Sequence, residues 1–161
     1  VGAIFVDHLQ RLPVDGKADR RDLELSAIGR GLKDLAVAVQ APVVAGAQLG
    51  RETAQGKEVP TGDYSSARAA IRKRRPEVHN VREGGSEQEA DLILGLLNYR
   101  ADWQAAAKAD GREVQEPRGA TLLEVGALKN RYGQSGRWAA LAWEGRFGLV
   151  RDPDPGEQEE L

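Results

Sequence analysis

The sequence has no cysteine and no methionine, only two histidines, and few aromatics: three Trp, three Tyr and two Phe in 161 residues. Without cysteine there is no disulfide framework and no thiolate nucleophile, and a reducing, cytoplasmic compartment is the simplest reading. His8 and His79 have no His or Cys partner at ligand spacing, which argues against a transition-metal centre. No apolar run approaches the roughly 20 residues of a membrane-spanning helix, and no secretory signal opens the chain, so no membrane partner is expected. Charge of one sign is also missing: 23 bases face 25 acids, for a net charge of -2. A uniformly basic nucleic-acid binder is excluded, and any such surface must be local.

What is present reads as one α/β domain. Val1–Val6, Pro42–Ala47 and Leu92–Leu97 are near-continuous apolar runs, the pattern of strands buried on both faces of a parallel sheet. Asp22–Gln40 carries Leu25, Ile28, Leu32, Leu35 and Val39 at helical spacing and Pro42 stops that helix, so strand, helix and strand form a crossover unit. Gly29 and Gly31 each weaken that helix by about 1 kcal/mol relative to Ala, and close packing is the expected reason for both. Thr121–Leu128, Trp138–Trp143 and Phe147–Val150, with a turn at Gly145, predict that the sheet ends in antiparallel strands. Trp138 and Trp143 are expected to pack rather than stack on bases.

Two long polar segments interrupt the pattern. Residues 50–81 read as a loop insertion holding a short helix around Tyr64–Arg75, and residues 100–119 as a second, milder one. The domain is placed at 1–151. The tail 152–161 carries five acids, two prolines and no base, a composition that predicts disorder.

Several residues invite a chemical reading. Asp7 ends the first apolar strand, where a carboxylate can hold a Mg²⁺-bound water beside a nucleotide phosphate. Gln48 ends the second, where an amide can sense a terminal phosphate or an attacking water. Lys129 and Arg131, two apart and followed by Gly133 and Gly136, pair a mobile point charge with a planar fork suited to phosphate oxygens. Between residues 66 and 82, Arg68, Arg72, Lys73, Arg74, Arg75 and Arg82 oppose only Glu77, a local balance of six minus one, or +5. Such a stretch suits a salt-dependent grip on a nucleic-acid backbone.

These pieces occur together in one order. Ile4-Phe5-Val6-Asp7-His8-Leu9-Gln10 resembles the Walker B segment of DnaB-type replicative helicases. Gly31–Ala36, Pro42-Val43-Val44 and Gln48-Leu49-Gly50-Arg51 resemble that family's next helix, strand and Gln-Leu-Ser-Arg motif. Arg82–Asp91 is similar to its Gly-rich DNA loop, and Lys129-Asn130-Arg131-Tyr132-Gly133-Gln134-Ser135-Gly136 to its Lys-Asn-Arg-x-Gly-x-x-Gly segment. The resemblance implies a RecA-like P-loop NTPase core, mostly parallel and ending in antiparallel strands, that works as a homo-hexamer on single-stranded DNA with ATP and Mg²⁺. It implies Asp7 acting on Mg²⁺ through water, Gln48 as the γ-phosphate sensor, and Lys129 and Arg131 as bases reaching a neighbouring subunit. By the same carry-over Arg82, Glu83 and Gly85 contact DNA; Arg72, Arg74 and Arg75 join them on charge alone. A primase and a helicase loader become candidate partners, in a bacterial or phage-infected cell. The family's phosphate-binding motif, Gly-x-x-x-x-Gly-Lys-Ser/Thr, does not occur in the chain; it is expected upstream, and the 161 residues alone are expected to be inactive. The alternatives are a RadA- or KaiC-type ATPase of the same fold, or a non-catalytic DNA-binding or oligomerisation module.

Overall fold

The computed structural model describes residues 2–13, 20–50, 61–81, 85–113 and 119–157. The strands β1 (Ile4–Val6) and β2 (Val43–Ala45) pair in parallel, with Ile4 opposite Val43 and Val6 opposite Ala45. Between them runs α1 (Arg21–Val39). Its stripe buries Leu25 and Ile28 against Leu9, Leu12, Leu32 and Ala45. Farther along, Leu35 and Val39 are 39% and 38% exposed, so only the first half of the predicted stripe is core. The helix ends one residue ahead of the expected position, with Gln40 in the left-handed region at φ 50° and the Ala41 N–H returning to the Ala36 carbonyl. That closure satisfies carbonyls which the helix end leaves open.

Close packing explains one of the two helix glycines. A Cβ on Gly29 would meet Glu89 Cβ at 3.3 Å and Ser86 Cα at 3.5 Å, whereas nothing lies within 4 Å of such an atom on Gly31.

The second sheet is antiparallel, in the order β3 (Leu92–Asn98), β4 (Thr121–Asn130), β5 (Trp138–Glu144) and β6 (Leu149–Arg151). Leu92–Leu97, expected as a doubly buried parallel strand, is instead an edge strand antiparallel to β4. Leu92, Leu94 and Leu96 are 50%, 55% and 60% exposed on one face, while Gly95 and Leu97 are buried on the other. A short apolar run specifies a strand but not its direction, because both ladder types accept it.

Two helices cover the inner face. The helix α2 (Tyr64–Arg72) is capped by Asp63, whose carboxylate accepts the Ser66 N–H at 2.8 Å. The helix α3 (Tyr99–Ala109) follows β3 directly, with the Asn98 side chain accepting the Ala101 N–H at 3.1 Å. The polar pattern of residues 100–119 suggests a loop, yet Trp103, Ala106 and Ala107 are buried on α3. The core joins Ala67, Ile71, Leu97, Tyr99, Trp103, Leu122 and Ala142. Tyr64 meets Trp103 edge to face at 5.9 Å, and the Trp103 indole N–H donates to the Gly62 carbonyl at 3.2 Å. The Tyr64 hydroxyl accepts the Leu122 N–H at 2.8 Å, tying α2 to β4. Trp138 packs on this core as expected, and its ring occupies the space a Cβ on its cross-strand partner Gly126 would need.

An isolated antiparallel bridge between Leu49 and Val81, with the Gly50 N–H on the Asn80 carbonyl at 2.8 Å, closes the base of the 50–81 segment. Of the acidic tail, Asp154 and Glu157 lie against Arg151, which also holds Glu144 at 2.8 Å. No described helix is long and apolar enough to cross a membrane.

Candidate functional site

Parallel pairing of β1 with β2 brings two of the predicted residues to one end of the sheet. Asp7 follows β1 by one residue and Gln48 follows β2 by three. The pairing continues past the strands: the Gly46 N–H donates to the Val6 carbonyl and the Leu9 N–H to the Gly46 carbonyl, both at 2.9 Å. A Cβ on Gly46 would lie 3.8 Å from Asp7 Oδ1, so the second tip passes directly beside the carboxylate. The Gln10 side chain, which the motif reading did not single out, accepts the Gln48 N–H at 3.3 Å. It thus ties the turn after β1 to the end of β2.

The Asp7 side chain is fully exposed, with His8 Nδ1 3.6 Å from its Oδ1. An exposed, hydratable carboxylate at a strand tip is the donor Mg²⁺ takes through its water shell. Among the described residues no group of three His, Cys, Asp or Glu could cage an ion. The exposed Asp7 carboxylate suits an outer-sphere contact to such an ion.

The second cluster lies where β4 ends. Lys129 Nζ donates to the Glu87 and Gln88 carbonyls at 2.8 and 3.0 Å. Arg131 Nη1 donates to Asp91 Oδ1 at 3.0 Å, and its backbone N–H to the Asp91 carbonyl at 2.8 Å. Lys129 and Arg131 thus converge on one short segment of their own chain, 87–91. Asp91 also accepts Lys33 Nζ from α1 at 2.6 Å. That hydrogen bond, reinforced by the charges of Lys33, Arg131 and Lys129, holds the Asp91 carboxyl below its usual range.

The basic stretch divides. Arg75 forks onto Glu124, Nη2 at 2.6 Å and Nε at 2.8 Å, and stacks 4.8 Å above the Trp138 ring. Arg72 Nε donates to the Tyr99 hydroxyl at 3.3 Å and stands 3.8 Å from Glu124. The Tyr99 hydroxyl in turn donates to Glu124 at 3.0 Å. Burial pushes the Glu124 carboxyl up, but the Arg75 fork and the Tyr99 hydroxyl outweigh it and hold the group below its ordinary value. These two arginines therefore serve the interior as well as the local charge. Arg74 instead lines an open hollow of about 240 Å³ with Leu49, Pro76, Leu96, Asn98 and Asp102. Arg82 and Glu83 lie outside the described residues. Gly85 sits at φ +89° against the first turn of α1, where its carbonyl accepts the Ser26 hydroxyl at 3.1 Å.

Comparison with known proteins gives the family. The family model for the DnaB-like helicase C-terminal domain matches residues 1–151. The chain belongs to that family. It is 34% identical over 145 residues to the replicative DNA helicase DnaB of Pasteurella multocida, an alignment covering 89% of this chain and 25% of that protein. A solved DnaB-like replicative helicase, described with its interactions with primase, superposes with a TM-score of 0.67 at 26% identity, covering 94% of this chain and 31% of that one. A separately solved ATPase domain superposes with the same TM-score of 0.67 at 27% identity, covering 94% of this chain and 44% of that one. The chain spans about a quarter of the length of the curated relatives it matches. Within the DnaB-like family, then, its fold is that of the RecA-like ATPase domain.

Proposed function

We propose that this chain forms the magnesium-, γ-phosphate- and DNA-facing part of a replicative helicase that works as a hexameric, ATP-driven translocase on single-stranded DNA. The observation that carries the reading is the in-register parallel pairing of β1 with β2, which sets Asp7 and Gln48 at neighbouring strand tips. When bound, ATP supplies the reacting phosphate and Mg²⁺ neutralises its developing charge. Asp7 would hold a water of the ion's shell. Gln48, on the adjacent tip, would accept or donate a hydrogen bond at the terminal phosphate or the attacking water. Lys129 and Arg131 would act across a subunit boundary: they converge on the 87–91 segment, while Asp7 and Gln48 are joined by the β1–β2 ladder and its extension.

The chain has no Gly-x-x-x-x-Gly-Lys-Ser/Thr, so another part of the assembled protein supplies the phosphate cradle. Backbone contact to DNA belongs to Arg82, Glu83 and Gly85, helped by the charge of Arg72, Arg74 and Arg75. Primase and a loader are the partners such a ring would meet, in the cytoplasm of a bacterial or phage-infected cell.

In the complete helicase, Arg131→Ala should lower ATP turnover by about 10³-fold or more, the usual worth of a trans-acting arginine, while nucleotide affinity stays near that of the parent. Steady-state hydrolysis beside equilibrium binding of a fluorescent ATP analogue measures both. Surviving turnover with collapsed affinity would place Arg131 in its own subunit's binding site and overturn the assignment.

A further inference from the structure

One carboxylate joins the helix that follows the Asp7 strand to the basic pair at the end of β4. Asp91 Oδ1 accepts Lys33 Nζ from α1 at 2.6 Å and Arg131 Nη1 at 3.0 Å. The Asp91 carbonyl accepts the Arg131 backbone N–H at 2.8 Å. A single residue therefore locates both the backbone and the side chain of Arg131. The segment carrying it is itself fixed to α1: Ser26 Oγ donates to the Gly85 carbonyl at 3.1 Å, and Glu89 packs where Gly29 has no Cβ.

Charge decides what such a contact can do. Arg131 and Asp91 alone would neutralise each other and leave little attraction for phosphate. With Lys33 on the same oxygen, two bases share the one Asp91 carboxylate, and Lys129 joins them through the Glu87 and Gln88 carbonyls of a segment that also carries the acids Glu87 and Glu89. The guanidinium presents five N–H donors in a rigid fork, and Asp91 takes one of them. Nη2 reaches the Gln88 carbonyl, at 3.4 Å. The fork can thus rest on Asp91 and still offer its other edge to an anion.

We propose that Asp91 is a positioning residue for the trans-acting pair: it holds the Arg131 guanidinium at the angle from which it meets a neighbouring subunit's phosphate, while Lys33 shares the carboxylate and anchors it to α1. The proposal rests on the reading of Arg131 as a trans-acting base.

The test uses the complete hexameric helicase with DNA-stimulated ATP turnover, nucleotide binding and hexamer assembly measured in parallel. Asp91→Asn should lower kcat by about 10- to 100-fold, the effect of misplacing a reacting group by about an ångström, with nucleotide affinity and assembly unchanged. Asp91→Glu should recover most of the loss. The double variant Asp91→Asn with Arg131→Ala should be no slower than Arg131→Ala, because the first change acts only through the second residue. If Asp91→Asn turns over within about twofold of the parent while Arg131→Ala is dead, positioning by Asp91 is refuted and the trans assignment stands. If Arg131→Ala itself turns over normally, the trans assignment fails and the proposal falls with it. Should Asp91→Asn not assemble, Lys33→Gln decides: a drop in kcat at constant affinity supports the anchor, and an unchanged kcat overturns it.

Discussion

The two sheets of this chain are built on different terms. The β3–β6 sheet closes a core with α2 and α3 in which Tyr99, Ile71 and Leu122 are fully buried. The β1–β2 pair packs α1 on one side, and among the described residues the other is open: Phe5 and Val44, directly opposite each other, are 78% and 51% exposed. Yet the sparsely packed half carries Asp7 and Gln48. Its site depends on strand register and on the hydrogen bonds of Gly46 and Gln10, not on a surrounding core. The well-packed half instead carries the basic pair, on the end of its longest strand. Placing two strand tips side by side needs only a ladder, whereas fixing two bases on a separate segment, as Lys129 and Arg131 are fixed on 87–91, needs a stiff support.

The largest expected effect tests that support. Trp103→Ala removes the centre of the α2–α3–sheet core and should cost about 3–5 kcal/mol. Chemical denaturation followed through Trp138 and Trp143, which lie in the same half, measures it. A loss under about 1 kcal/mol would mean the closed core is not what stabilises this half.

Glu124→Gln comes next, at about 3 kcal/mol, because it leaves the Arg75 guanidinium partly buried without its counter-charge. This effect has a pH signature. The folded-state carboxyl sits below its ordinary value near 4.5, so its stabilisation is complete above that value and is lost as pH falls through the depressed one. The stability gap between parent and variant should therefore be constant from neutral pH to about 5 and should narrow in more acid solution. A constant gap throughout the acid range would show that the ionised pair is not the stabilising species.

The smallest effect tests the open half. Phe5→Ser should change stability by less than about 0.5 kcal/mol, as for surface positions generally, and should leave hydrogen exchange at Val6 and Ala45 unaltered. A cost above about 1 kcal/mol would mean that face is covered in solution and the contrast between the halves is weaker than it looks.

What could be read from the residues alone follows the same division. The strand tips were legible because Asp7 and Gln48 each follow an apolar run; their chemical role was suggested by the resemblance of the two segments, not by the runs, since many strands end in Asp simply where a loop begins. Lys129 and Arg131 were singled out by the Lys-Asn-Arg-x-Gly-x-x-Gly resemblance; two bases before a glycine turn are otherwise an ordinary solvated loop. The helix α3 is hard to see although Tyr99, Trp103, Ala106 and Ala107 stand at i, i+4, i+7 and i+8, because small alanines and interleaved charges lower its apolar contrast. Glu124 escapes notice because a carboxylate inside Leu-Leu-Glu-Val reads as an outward residue; its partner Arg75 lies 49 positions away, beyond any local pattern. Asp91 is a three-element junction, and pairing it with Lys33 requires knowing that α1 packs on the 85–91 turn.

The Leu49–Val81 bridge has a consequence for how this chain can vary. It brings the departure and return of the intervening segment to one point, immediately after Gln48 and shortly before Gly85. Ring closure entropy grows only with the logarithm of contour length, about 0.6 kcal/mol for each doubling. Added contour inside the ring that this bridge closes would therefore come at small thermodynamic cost, with the bridge standing between it and the Gln48 amide on one side and the Gly85 turn on the other.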